Sequence, residues 1–378
     1  MEYRIPFNRP SAVGREREYV LEAIDSGRLS GDGPFGKRCE ALLEERCAAH
    51  RALVTASCSG ALDLAAVLCD LDGEAEVILP SYTFTSTANS VARTGARPVF
   101  VDIREDTLNL DERLVEAALT DRTRAIWPIH YAGVSCEMDP ILELARDRGL
   151  RVVEDAAQGV GSLYRGRPLG TIGDLGTFSF HETKNVVSGE GGALIVNAPD
   201  LTTRAEVLRE KGTNRAQFFR GEVDKYTWVD VGYSELASEL VSAFLLAQLE
   251  EVDRITARRR HLWDRYHAAF ADADEKGAAR RPIVPDHCEH NAHIYYLLLP
   301  DEAARNAMMD AFRQKGILAV FHYLPLHLAP VGRRYGYREG SLPVTEDLSG
   351  RLLRLPLFFG LTDAEQDDVI AAALGFLG

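Results

Sequence analysis

Phe178-Ser179-Phe180-His181-Glu182-Thr183-Lys184-Asn185, followed by Gly189-Glu190-Gly191-Gly192, sets the reading of the whole chain. Residues 177–180 have the apolar character of a short buried strand, and Ala193-Leu194-Ile195-Val196 resumes as a second strand after the glycine turn. Lys184 stands where the first strand runs out. A lysine delivered from a strand end into the interior of a sheet is partly desolvated. Desolvation disfavours the ammonium, lowers the pKa and leaves a neutral amine suited to Schiff-base chemistry. A lysine beside glycines is otherwise an ordinary surface cation next to a turn, so the assignment depends on what else the sheet brings to that edge.

Working outward, apolar strands near 52–55, 76–79, 98–102, 125–129 and 151–155 alternate with helical patterns at 59–70, 84–94, 111–119 and 137–148. That alternation predicts crossover units building an α/β fold around a largely parallel sheet. No Gly-x-Gly-x-x-Gly fingerprint accompanies it. The strand Val152-Val153-Glu154-Asp155 ends in a carboxylate 29 residues before Lys184. Pyridoxal phosphate chemistry needs such an anion, because it keeps the pyridine nitrogen protonated and the ring able to accept electrons. Without Lys184, Asp155 would read as a helix cap. Gln158 is placed to hydrogen-bond a phenolic oxygen, or is an ordinary polar loop residue. Leu53-Val54-Thr55-Ala56-Ser57-Cys58-Ser59-Gly60-Ala61-Leu62 passes from a strand through small residues into a helix. Open amides at such a helix start suit a phosphate dianion. Phe84 follows the next strand, where its face could cover a planar ring or simply join the core.

Together, in this order and spacing, these segments resemble the DegT/DnrJ/EryC1/StrS family of pyridoxal phosphate-dependent sugar aminotransferases. The resemblance runs from Ile5-Pro6-Phe7-Asn8 to Leu355-Pro356-Leu357-Phe358. It implies a fold type I aminotransferase, with a large, mixed, mostly parallel sheet domain and a smaller α+β C-terminal domain. By position it implies that Lys184 carries the cofactor as a Schiff base and that Asp155 pairs with the pyridine nitrogen. Phe84 would stack on the ring, Gln158 would contact the phenolic oxygen, and Ser59, Gly60 and Ser179 would hold the phosphate. The implied substrates are L-glutamate and a nucleotide-linked 4-keto-6-deoxyhexose.

Segments beyond the cofactor frame refine this. Arg209-Glu210-Lys211-Gly212-Thr213-Asn214-Arg215, Asp224-Lys225-Tyr226-Thr227-Trp228 and His322-Tyr323-Leu324-Pro325-Leu326-His327 are similar to the branch that aminates C4 of a dTDP-linked sugar to the galacto product. Tyr323 and His327 are candidates for lining the sugar-nucleotide side, Arg215 and Arg220 for meeting its phosphates. Many family members carry Gly-x-Asn-Tyr-Arg, whose Asn reaches the phosphate from a second subunit. This chain reads Gly232-Tyr233-Ser234-Glu235-Leu236, so Ser234 is the candidate cross-subunit ligand in an expected homodimer.

The chain has 378 residues, 46% of them apolar, more than one core usually holds. The expected division is a cofactor-binding domain over 1–250 and a C-terminal domain over 251–378, with a long helix around 236–263 leading between them. Strands at Ile294–Leu299 and Ala319–Tyr323, separated by a helix near 301–315, are expected in the second part. A formal charge of −14 disfavours nucleic acid and anionic membrane as partners. The segment Met1-Glu2-Tyr3-Arg4-Ile5-Pro6 lacks a secretory pattern and no run approaches membrane-spanning length, so a cytoplasmic enzyme is expected. Six scattered cysteines suggest neither a disulfide framework nor a metal site. Two rivals share the fold: a sugar dehydratase, in which histidine replaces the Schiff-base lysine, and a non-catalytic regulator. Lys184 argues against the first, and the chemically competent lysine, aspartate and aromatic positions against the second.

Overall fold

The computed structural model describes residues 3–378, so the first two residues of the N-terminal segment lie outside it. Seven strands form the main sheet: β1 Arg51–Thr55, β2 Glu76–Pro80, β3 Arg97–Val101, β4 Thr123–Ile126, β5 Arg151–Asp155, β6 Leu175–Ser179 and β7 Gly192–Val196. Their order is β1-β7-β6-β5-β4-β2-β3. All neighbours are parallel except the two pairs made by β7. β7 runs backward because the glycine turn after β6 returns the chain directly alongside it.

The strands alternate faces one residue at a time, as a pleated strand must. Ala52, Val54, Ile126, Val152 and Phe178 face one apolar cluster, while Leu53, Ala125, Trp127, Val153 and Leu194 face another. Helices cover both. α1 Glu16–Asp25, α2 Pro34–Cys47 and α5 Met138–Arg148 contribute to the first cluster; α3 Cys58–Leu68, α4 Thr85–Arg93 and α6 Thr202–Arg209 contribute to the second. Burial on both faces explains strands that read as nearly continuous apolar runs.

The expected long helix is two: α7 Glu239–Glu250 and α8 Val252–Ala269. Its start is set by Ser238, whose hydroxyl accepts from the Val241 amide, while Leu236 still bridges to Thr55. Between the helices Glu251 leaves helical geometry at φ −104°, ψ 10°. The helix expected at 111–119 is two short 3₁₀ turns, Glu112–Leu114 and Glu116–Ala118. Val115 is the one buried apolar residue of that stretch, so no apolar stripe exists to hold a full helix.

A second sheet pairs β8 Tyr295–Leu298 with β9 Leu352–Leu355, antiparallel. With α9 Glu302–Gln314, α10 Asp363–Leu377 and the later part of α8 it encloses a separate apolar cluster, which also takes in Ile5. The strand expected at Ala319–Tyr323 is reduced to a single bridge between Val320 and Arg354, because residues 320–323 turn away to line a cavity. Among the described residues no helix is long and apolar enough to cross a membrane.

Candidate active site

Because β7 is antiparallel to both β1 and β6, the strands β1, β2, β4, β5 and β6 all present their carboxyl ends to one edge of the sheet, the usual position of ligand sites in open α/β sheets. A cavity of about 830 Å³ opens there, between this edge and the second sheet. Lys184, Asp155, Gln158, Phe84, Ser59, Ser179 and Tyr323 all line it. Sequence positions 59 to 323 thus converge on one chamber.

Lys184 is set by the turn between β6 and β7. The Lys184 amide donates to His181 O, the Glu182 amide to Gly189 O and the Phe180 amide to Gly191 O, at 2.9, 2.9 and 3.0 Å. Desolvation in the cavity holds the lysine below its ordinary pKa; Cys58 and Asp155 pull the other way, and Arg354 adds to the lowering. Gly192 is dictated by close approach, since a Cβ there would overlap the backbone of Ser57 and Cys58 at the start of α3.

Asp155 is buried at the end of β5. Its Oδ2 accepts from Thr87 Oγ1 at 2.6 Å and its Oδ1 from the Ala157 amide at 3.1 Å. The preceding Glu154 points to the opposite face and anchors the strand, accepting from the amides of Gly170, Ile172 and Gly173 and pairing with His130 Nε2 at 2.8 Å. A buried carboxylate with that many donors is satisfied, and it locks the register that aims Asp155 at the cavity. Gln158 accepts from the Ala132 amide at 2.7 Å and donates through Nε2 to Tyr323 Oη at 3.0 Å. Phe84 precedes α4 with 58% of its surface exposed and its ring centroid 6.3 Å from that of Tyr323.

At the start of α3, Ser57 is the helix cap: its hydroxyl accepts from the Gly60 amide at 3.0 Å. Among the described residues no acceptor faces the Cys58 and Ser59 amides. Ser59 Oγ lies 2.7 Å from Ser86 Oγ.

Five expected residues are not in the chamber. Gly60 has its amide committed to Ser57, and a Cβ on it would overlap the Glu235 carboxylate, so its small size serves packing. His327 is fully buried outside the cavity, with Nδ1 2.7 Å from Ser81 Oγ and Nε2 2.9 Å from Glu346; it ties the loop after β2 to the C-terminal region. Arg215 pairs with Glu210 and Arg220 with Glu206 and Glu222, so neither guanidinium is free toward its own cavity. Ser234 is exposed and its backbone bridges to Glu210. Thr87, His293, His322 and Arg354 line the chamber without having been expected. His293 is kept well below the usual histidine pKa by burial, with Lys184, Arg259 and Arg354 adding to the effect.

A lysine with a depressed pKa, a fixed carboxylate, an exposed aromatic face and free amides with hydroxyls at a helix start share one chamber. These residues fit pyridoxal phosphate. A family model described as the DegT/DnrJ/EryC1/StrS aminotransferase family matches residues 10–374. The chain belongs to that family. GDP-perosamine synthase of Caulobacter vibrioides is 36% identical over 373 residues, covering 98% of this chain and 97% of the relative. The aminotransferase TlmJ of Streptoalloteichus hindustanus superimposes with a TM-score of 0.90 at 32% identity, covering 99% and 98% of the two chains. Spr1654 of Streptococcus pneumoniae, described as a sugar aminotransferase and solved in its PLP form, gives 0.91 at 26% identity, covering 99% of both chains. This family member is thus a fold type I sugar aminotransferase, and its cofactor is pyridoxal phosphate.

Proposed function

We propose that this family member transfers the amino group of L-glutamate to C4 of dTDP-4-keto-6-deoxyglucose, giving dTDP-4-amino-4,6-dideoxygalactose. The observation that carries the transaminase reading is the convergence of Lys184 and Asp155 in one chamber at the carboxyl edge of the sheet. In this reading Lys184 anchors the cofactor, Asp155 faces the pyridine nitrogen, Gln158 the phenolic oxygen, and Phe84 one ring face. Ser59, Ser179 and the first amides of α3 take the phosphate. Once bound, pyridoxal phosphate supplies an electron sink for the pair left when a C–H bond beside the amine breaks.

The chain's residues supply the rest. Lys184 Nζ, biased toward the neutral amine by desolvation, takes the proton from the donor's α-carbon and later delivers one to C4 of the sugar. Asp155, held by Thr87 and Ala157, keeps a negative charge where the pyridine nitrogen needs one. Tyr323, oriented by Gln158 and stacked on His322 with ring centroids 3.7 Å apart, lines the sugar side. A two-fold dimer, with Ser234 reaching the neighbour's phosphate, is part of the proposal. It is supported by the exposure of Ser234 and by the apolar stretch beside it, where Trp228 and Val231 are 72% and 71% exposed.

The dTDP sugar is favoured by the segments from Arg209 to Trp228, and a GDP-linked acceptor by the relative named GDP-perosamine synthase. A panel of dTDP-, UDP- and GDP-linked 4-keto sugars, supplied with glutamate, decides between them. Proton NMR of the product then reads the epimer. Lys184 can reach only one face of C4, and the galacto product gives a small coupling between H3 and H4. A large coupling, amination at C3, or consumption of only the GDP or UDP sugar overturns the substrate assignment.

A further inference from the structure

The segment Asn291-Ala292-His293, just before β8, is held in a strained conformation. Ala292 has a φ of +52°, in the left-handed region that residues other than glycine rarely adopt and that persists only where the surroundings enforce it. Here they do. Asn291 is buried, its amide donating to Ser162 Oγ at 3.0 Å and its Nδ2 to Gln158 O and Val160 O, both at 2.8 Å. From α8, Arg259 donates through Nε to Ala292 O at 3.1 Å and through Nη2 to His293 O at 2.5 Å. What this enforced strain positions is the next side chain, His293, which lines the chamber.

The state of that imidazole is set by one neighbour. Asn185 Nδ2 donates to Asn291 O at 2.9 Å, and a carbonyl only accepts, so Asn185 Oδ1 is the atom that lies 2.9 Å from His293 Nδ1. An amide oxygen takes a proton from its partner, which places the single N–H of a neutral imidazole on Nδ1. The ring stays neutral because burial, the Lys184 charge and the guanidinium groups of Arg259 and Arg354 all oppose the imidazolium. Nε2 is therefore a lone pair, with no donor among the described residues. Asn185 directly follows Lys184, so the residue that orients His293 also belongs to the turn that delivers the lysine into the same chamber. Whenever Lys184 is not joined to the cofactor, its Nζ is an amine with two N–H bonds and one lone pair on a flexible four-carbon stem. Only the lone pair can take a proton from carbon. Asp155 already has its oxygens met by Thr87 and Ala157. A carboxylate bonded to the amine would also favour the ammonium, whereas a neutral ring nitrogen holds an N–H with far less bias.

We infer that His293 is a positioning residue: its Nε2 accepts one N–H of the Lys184 amine and so turns the amine's lone pair toward the substrate carbon. The inference rests on the proposed role of Lys184, so part of the test needs no turnover. Nitrogen NMR of apoprotein carrying labelled histidine reads the ring directly, with His293 assigned by the loss of its signals in His293→Asn. At neutral pH Nδ1 should be protonated and Nε2 bare. In Lys184→Ala the Nε2 resonance should move toward that of an unbonded ring nitrogen while Nδ1 stays where it was. Single turnovers then follow the bound cofactor's visible absorbance with L-glutamate and, in the other direction, with the aminated sugar nucleotide. His293→Asn keeps a donor toward Asn185 and withdraws the acceptor. Its maximal rate should fall on the order of tenfold for both substrates, the worth of a neutral hydrogen bond, at unchanged half-saturating concentrations. His293→Gln, whose amide oxygen reaches the place of Nε2, should recover most of that rate. A proton on Nε2, an Nε2 resonance indifferent to Lys184→Ala, a loss confined to one substrate, or a loss in half-saturation rather than in rate would each overturn the inference. If the unaltered protein responds to neither substrate, the proposed reaction fails, and the resonances still decide whether His293 holds Lys184.

Discussion

The effect of Gly60→Ala on stability should depend on what stands at position 235. Gly60 is in the first turn of α3 without a positive φ, so alanine is compatible with the backbone there. Relative to glycine it favours the helix by roughly 0.5–1 kcal/mol. An added Cβ, however, overlaps the Glu235 carboxylate. The Glu235 backbone is fixed, its amide donating to Arg209 O and its carbonyl accepting from the Ala56 amide, so relief falls to rotating its side chain, whose buried Oε2 has no hydrogen-bond partner among the described residues. Swinging the carboxylate aside costs about 0.5–1.5 kcal/mol, that of an off-rotamer side chain. The single variant should therefore lie between a gain of about 0.5 and a loss of about 1 kcal/mol, the rotation offsetting the helix gain. In a Glu235→Ala background the clash is gone, and Gly60→Ala should stabilise by roughly 0.5–1 kcal/mol. The coupling between the sites is then about 0.5–1.5 kcal/mol, within the range measured for residues in contact. Urea denaturation of the four apoproteins measures it, and fluorescence titration of each with pyridoxal phosphate shows whether cofactor binding follows. Equal destabilisation in both backgrounds, with cofactor binding lost in both, refutes the packing role and returns Gly60 to the phosphate.

Two further expectations concern the cofactor side of the chamber. Thr87 has one hydroxyl proton, and it goes to Asp155, so Thr83 Oγ1, 3.0 Å from Thr87 Oγ1, must be the donor in that second bond. Thr87→Val keeps the shape and removes a bond worth about 1.5–3 kcal/mol; kcat should fall about tenfold or more and recover in Thr87→Ser, and an unchanged kcat would show that Asp155 needs no such orientation. Lys184 has a depressed folded-state pKa, so the unfolded chain binds more protons in the window below the ordinary lysine value near 10.4, and stability rises with pH through that window. Apo Lys184→Met should therefore abolish turnover while being more stable than the unaltered apoprotein at neutral pH, with the difference closing as pH rises toward 10; a less stable variant at pH 7 contradicts the burial argument.

The order of elements was legible because central parallel strands are buried on both faces. Runs such as Glu76-Val77-Ile78-Leu79-Pro80 therefore stand out from their flanks, and β1 through β7 appear within one or two residues of expectation, except that β4 ends at Ile126, three residues short of the expected 129. The catalytic edge was legible for a related reason. Lys184, Asp155 and Ser179 sit at or just after strand ends, so knowing where a strand stops places the side chain. Departures occur where tertiary partners decide. His327 follows a tyrosine and a proline in a loop and looks available, yet Ser81 and Glu346, distant in sequence, enclose it. Arg215 and Arg220 looked like free cations because the carboxylates that hold them, Glu210 and Glu206, lie on neighbouring turns whose direction no periodicity reveals. Arg354 shows the converse. Leu352-Leu353-Arg354-Leu355 reads as a strand with one polar residue turned to solvent, the ordinary pattern of a half-exposed sheet. Only the docking of that small sheet against the carboxyl edge of the large one converts its outer face into the inner wall of a chamber. A guanidinium there keeps its sequence signature and changes its role, because the surface it was placed on is closed by an element whose nearest strand begins more than a hundred residues away, at Gly192.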